Sequence, residues 1–109
     1  MLGSRFQEGA FMSDELKEKV EGQIDLASWT MLSEHNERGA VVIVHPDIDL
    51  VEVAVEVAQD NVTSVQGWLD SGMIFKPEES QVQAFNTQPE RQFKFIIVQP
   101  YVLVQEQSN

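Results

Sequence analysis

The stretch Asp47-Ile-Asp-Leu-Val-Glu-Val-Ala-Val-Glu-Val-Ala-Gln-Asp60 decides how the chain folds, because valine dominates it and both helix and strand are open to it. Its polar positions resolve the choice. Asp49, Glu52, Glu56 and Gln59 recur at spacings of three, four and three, the period of a helix and not of a strand. Valine loses side-chain freedom in a helix, so burial of the apolar residues must offset that cost. The block is therefore expected to be the central, most buried helix, with its acids turned to solvent.

The flanks supply its surroundings. Before it, Ala40-Val-Val-Ile-Val44 is short, apolar and β-branched, which predicts a strand covered on both faces and ended by His45-Pro46. After it, Asp60 or Asn61 opens another helix with Val62, Val65, Trp68 and Leu69 inward, closed by Gly72. Met73-Ile-Phe75 reads as a short strand. Pro77, Glu78 and Glu79 start a helix carrying Val82 and Phe85. Residues 93–98 and 101–104 are the most strand-like in the chain. Gln99-Pro100 lacks the Gly, Asn or Asp of a tight hairpin and reads as a bulged kink or a wider turn.

Toward the N-terminus, Ser13-Asp14-Glu15 caps a helix with Leu16, Val20 and Ile24 on one stripe. Residues 25–28 read as a break. Ser28 caps a second helix with Trp29 and Leu32 inward, ending at Gly39. Residues 1–12 read as a disordered leader or a remnant of cloning, 13–106 as a single domain and 107–109 as a tail. The fold class expected is α+β: a small three- to four-stranded sheet packed against about five helices.

Eighteen acidic residues against seven basic ones leave a formal net charge of −11. That charge repels phosphate backbones and anionic membranes, so neither nucleic acid nor membrane is expected as a partner. Apolar runs are far shorter than the ~18 residues a span requires, and no signal peptide is visible, which makes the cytoplasm the expected location. The absence of cysteine removes disulfides, thiolate zinc sites and a cysteine nucleophile. No phosphate loop, dinucleotide fingerprint or Gly-x-Ser-x-Gly occurs, and no cofactor is expected.

Asp49-Leu50-Val51-Glu52-Val53-Ala54, Trp68-Leu69-x-x-Gly72 and Pro100-Tyr101-Val102-Leu103-Val104-Gln105-Glu106 resemble a bacterial family of domains of unknown function, number twenty-two eighty-eight. Trp29-x-x-Leu32 and Gly39-Ala-Val-Val-Ile-Val44 fit the same pattern, so the resemblance covers residues 16–106. Ser33-Glu-His-Asn36 is more polar than the corresponding family segment. The resemblance implies a bacterial origin and brings no activity or functional residues with it.

Two constellations carry candidate chemistry. His45, Asp47, Asp49 and Glu52 gather an imidazole and three carboxylates between a strand and a helix, a ligand set suited to a divalent metal and to a small metal-dependent enzyme. The structural reading of the same residues is a helix N-terminus, with Asp47 or Asp49 as cap and Glu52 completing a capping box. The second constellation is the pair of helices over residues 53–72, spaced like a degenerate helix-turn-helix regulatory module with Thr63, Ser64 and Gln66 facing outward. Its second helix carries no Lys or Arg, so it lacks the phosphate contacts that give such modules affinity. The leading expectation is a non-enzymatic, acidic interaction or accessory domain that meets a protein partner or forms a homodimer. The homodimer rests on residues 93–104 lying at a sheet edge, a hydrophobic stretch interrupted by Pro100 in which only Lys94 acts as a gatekeeper.

Overall fold

Val41–Val44 (β2) is buried at every position, and its side chains alternate between two cores. Val42 and Val44 enter one core, while Val41 and Ile43 enter the other. An uninterrupted apolar strand is what a sheet covered on both faces demands. The computed structural model describes residues 14–107. The leader, the Ser13 cap and the final residues of the tail lie outside the described residues.

The remaining elements are a helix over residues 14–23 (α1), Asp25–Ser28 (β1), Trp29–Glu37 (α2), Leu50–Ala58 (α3), Val62–Ser71 (α4), Ile74–Phe75 (β3), Glu79–Asn86 (α5), Gln92–Val98 (β4) and Tyr101–Glu106 (β5). One five-stranded sheet runs in the order β1-β4-β5-β2-β3. Only β5 and β2 pair in parallel, with Val41 opposite Val102 and Val44 opposite Gln105. The other neighbours are antiparallel. Side chains of α1, α3 and α4 pack on one face, and those of α2 and α5 on the other. The fold is α+β in one compact domain, with a sheet slightly larger than the sequence suggests.

The valine-rich block is a helix, and magnitudes explain why. A valine costs about 0.5 kcal/mol or somewhat more in helix propensity relative to alanine. Fully burying its side chain returns about 1.5–3 kcal/mol. Leu50, Val53, Ala54 and Val55 of α3 are buried, Val53 and Ala54 completely, while Glu52 and Glu56 are not. Burial wins at the positions that touch the sheet, and the acids take the opposite side.

The second core is organised by aromatic rings. Trp29, Phe85 and Phe93 form a triangle with centroids 4.9, 6.0 and 5.1 Å apart. The Trp29 indole N–H donates to Asn86 Oδ1 at 2.8 Å, so its polar edge is satisfied in the interior. The Arg91 guanidinium lies over Phe85 and Phe93 and pairs with Glu106, closing the cluster toward solvent.

Several expectations are corrected. Residues 25–28 are not a break: they form β1, which pairs with β4 from Asp25 opposite Phe95 to Ser28 opposite Gln92. Residues 93–104 are not an edge along their whole length: β1 covers β4 from Gln92 to Phe95 and β2 covers β5 from Val102 to Gln105, while residues 96–98 extend past β1. The ground for a homodimer joined through those strands is thereby reduced to the end of β4 beyond β1. The edges are instead β1, four residues long, and β3, two residues long, and short edge strands offer little template for another chain. Gln99-Pro100 is a two-residue hairpin connection with a cis peptide bond, flanked by Val98 opposite Tyr101. The six-pair register of β4 on β5 carries that hairpin without a Gly, Asn or Asp signal in its turn. α5 begins at Glu79, leaving Pro77 just outside it.

Candidate functional site

The loop between β2 and α3 holds the four residues expected as metal ligands. The structure divides them into two pairs. His45 Nδ1 accepts from the Asp47 backbone N–H at 3.0 Å and lies 3.7 Å from Asp47 Oδ2, in an exposed turn. Asp49 Oδ1 accepts from the Val51 backbone N–H at 3.0 Å and caps α3. Asp49 and Glu52 border a shallow depression shared with Asp14 and Lys17 of α1, away from the imidazole. Among the described residues, no three His, Asp or Glu side chains are placed to hold one metal ion.

The loop itself is positioned by a residue that the sequence places just past the last strand. Gln105 lies within β5 and is only 4% exposed. Its side-chain NH2 donates to the backbone carbonyls of His45 at 3.0 Å and Ile48 at 2.7 Å. A buried amide satisfies loop carbonyls that the sheet cannot reach, and the strand therefore runs to Glu106 and not only to Val104. The available signal was its alternation with Leu103, which places both on the face beneath α3.

A cleft lies beside α4. The apolar positions Val62, Val65, Trp68 and Leu69 were expected inward. Val65 and Trp68 pack partly against the core, but Val62 is 67% and Leu69 46% exposed. No residue of α4 is buried. The physical reason is beneath it: α4 meets the sheet at β3, whose two residues are too short a seat for a ten-residue helix. Between helix and sheet remains a half-open cleft of about 480 Å³, within the ~300–1,000 Å³ common for ligand-binding clefts.

The cleft is apolar inside and polar at its mouth. Val42, Ile74 and Leu103 form its floor. Val57 and the Val62, Val65 and Leu69 side chains form one wall, and the Gln99-Pro100-Tyr101 turn forms the end. Asp60, Asn61, Gln66 and Lys76 stand at the rim. Asp60 occupies the left-handed region at φ 58°, which an Asp tolerates, and so turns the chain from α3 into α4. Asn61 caps α4 by accepting from the Ser64 N–H and donates to the Glu56 carboxylate. Gln66 donates to Asp70 at 2.9 Å, and the Lys76 ammonium donates to the Gly39 carbonyl at 2.8 Å. This arrangement offers apolar contact and a ring of hydrogen-bonding groups, which is the chemistry of recognition. Tyr101 is 42% exposed and belongs to the cleft.

Among the described residues, no helix is long and apolar enough to cross a membrane. No curated protein matches the chain. The chain is similar to PA1075 from Pseudomonas aeruginosa, known from an NMR solution structure, at 32% identity, 87% coverage of each chain and a TM-score of 0.74. A family model described as "Protein of unknown function (DUF2288)" matches residues 15–106. With that match spanning both cores and the cleft, the chain belongs to the DUF2288 family.

Proposed function

We propose that the protein is a non-enzymatic, acidic interaction domain of the bacterial cytoplasm, which engages a protein partner through the cleft between α4 and the sheet. The observation that carries this reading is the distribution of exposed apolar side chains. Six large ones are exposed among the described residues, and three of them, Val62, Leu69 and Tyr101, border that one cleft. Exposed apolar groups gathered at one concavity mark interaction surfaces, whereas single scattered ones do not. A net charge of −11 opposes self-association and favours a partner of opposite charge.

Affinity capture from a bacterial extract tests the proposal, with the same protein carrying Leu69→Lys as a comparison. The expected result is one identified protein enriched by the wild type and lost from the variant. Enrichment of none contradicts the reading. A second arm addresses His45, Asp47, Asp49 and Glu52: Zn²⁺, Mn²⁺ or Mg²⁺ is expected to leave the melting temperature unchanged. A metal-dependent rise of several degrees would favour a metal enzyme instead, since a ligand that binds only the folded state raises its stability.

A further inference from the structure

We infer that the partner segment seated in the cleft is a basic amphipathic helix, an inference that rests on the interaction reading and specifies its chemistry. Length is the first argument. Val62, Val65 and Leu69 stand at i, i+3 and i+7 on α4, a row about 10 Å long at ~1.5 Å rise per residue. A partner helix presents anchors over the same span when it lies in a groove with its i, i+3/i+4 and i+7 residues inward. The cleft is open along this row, with Val62 at one end and Leu69 at the other, both substantially exposed. A helix laid beside α4 would cover both and place apolar side chains over Val42, Ile74 and Leu103.

Charge is the second argument. Asp60 is on the rim itself. Two further carboxylates are tied to rim residues: Glu56 accepts from Asn61, and Asp70 accepts from Gln66. Neither lines the cleft itself, and Glu56 also borders the depression beside α1. Lys76 is the one cation lining the cleft among the described residues, and its bond to the Gly39 carbonyl leaves its charge in place. Asp60 and Lys76 balance within the lining, and the two tied carboxylates make the surroundings acidic by two charges, in keeping with the chain as a whole. Lysine or arginine flanking the apolar anchors of the partner would meet those carboxylates, steering its approach and setting its orientation.

The test uses the full chain and two synthetic probes, a short Leu/Lys amphipathic helix and a Leu/Glu helix of the same pattern. Calorimetry and amide shift mapping follow binding to the wild type, to a Val62→Ser/Leu69→Ser variant, and to a Leu26→Ser/Met31→Ser control. All four sites are exposed, so both variants are expected to fold. The Leu/Lys helix should bind, shift resonances of α4 and Tyr101, and lose about tenfold in affinity on the cleft variant while the control stays within about twofold. Added salt should weaken it. Equal losses on both variants, equal binding of the Leu/Glu helix, or binding of decanoate in place of either helix would overturn the inference. A captured protein that still binds the cleft variant would remove this inference and leave an interaction role standing. Absence of any captured partner would remove the role itself.

Discussion

Replacing Phe93 by alanine is expected to cost about 3–5 kcal/mol, the range for deleting a large buried aromatic. Phe93 is fully buried on β4, between Ala27 of β1 and Glu106 of β5 in the register. Its ring stands edge-on to Phe85 at 5.1 Å and tilted to Trp29 at 6.0 Å. Neither neighbour is free to fill the space. Trp29 is tied through its indole N–H to Asn86, and Phe85 is fixed on α5 under the Arg91 guanidinium. The cavity would persist, and the cost with it. At roughly 4–8 °C per kcal/mol for a domain of this size, the melting temperature should fall by more than about 10 °C. Urea unfolding measures the same loss directly. A change below about 1 kcal/mol would show that the aromatic triangle is not a closed core.

Val53→Asp is expected to be more damaging still. Val53 is at 0% exposure in the middle of α3, facing Leu50, Val44 and Leu103 within the same core. A carboxylate there has no cation or donor to meet, and an uncompensated buried charge costs about 3–5 kcal/mol before the lost packing is counted. Stability of an ordinary domain is only about 5–15 kcal/mol, so the variant should be largely unfolded or should retain its fold only at acid pH. Glu52→Gln, one position away on the outer face, should change stability by no more than about 0.5 kcal/mol. Circular dichroism and urea titration of the pair report the orientation of α3: equal effects would mean that the helix is rotated from the position described.

These two experiments touch the parts of the fold that were readable from residues alone. α3 was legible because its acids keep a helical period that its valines obscure, and β2 because a short apolar run has nowhere to go but the middle of a sheet. β1 was not legible. Asp25-Leu-Ala-Ser28 has little strand character of its own, and its pairing with residues 92–95 is a contact between distant parts of the chain. The edge placement of the C-terminal hairpin failed over most of its length for the same reason: strand order depends on β1 reaching β4 and on β2 pairing in parallel with β5, neither of which is local.

The candidate site was legible in one sense and hidden in another. The sequence brings His45, Asp47, Asp49 and Glu52 close together, but the start of α3 turns Asp49 to the helix backbone while His45 and Asp47 face each other in the preceding turn. Nearness along the chain does not impose convergence. Gln105 was missed because a polar residue after a hydrophobic strand looks like the strand's end. Only the carbonyls of His45 and Ile48 reveal its role. The cleft was hidden because it arises from a mismatch between neighbours. α4 has an apolar stripe suited to burial, and nothing in that stripe reports that β3 is too short to receive it.

The openness of that cleft is the claim on which recognition depends, and methyl relaxation by a soluble, uncharged gadolinium chelate measures it. The Val62 and Leu69 methyls should be strongly relaxed, those of Val53 and Val104 should be protected, and Leu103 should fall between them. Protection of Val62 and Leu69 to the level of Val53 would mean that α4 is seated on the sheet, and the account of a binding cleft would be contradicted.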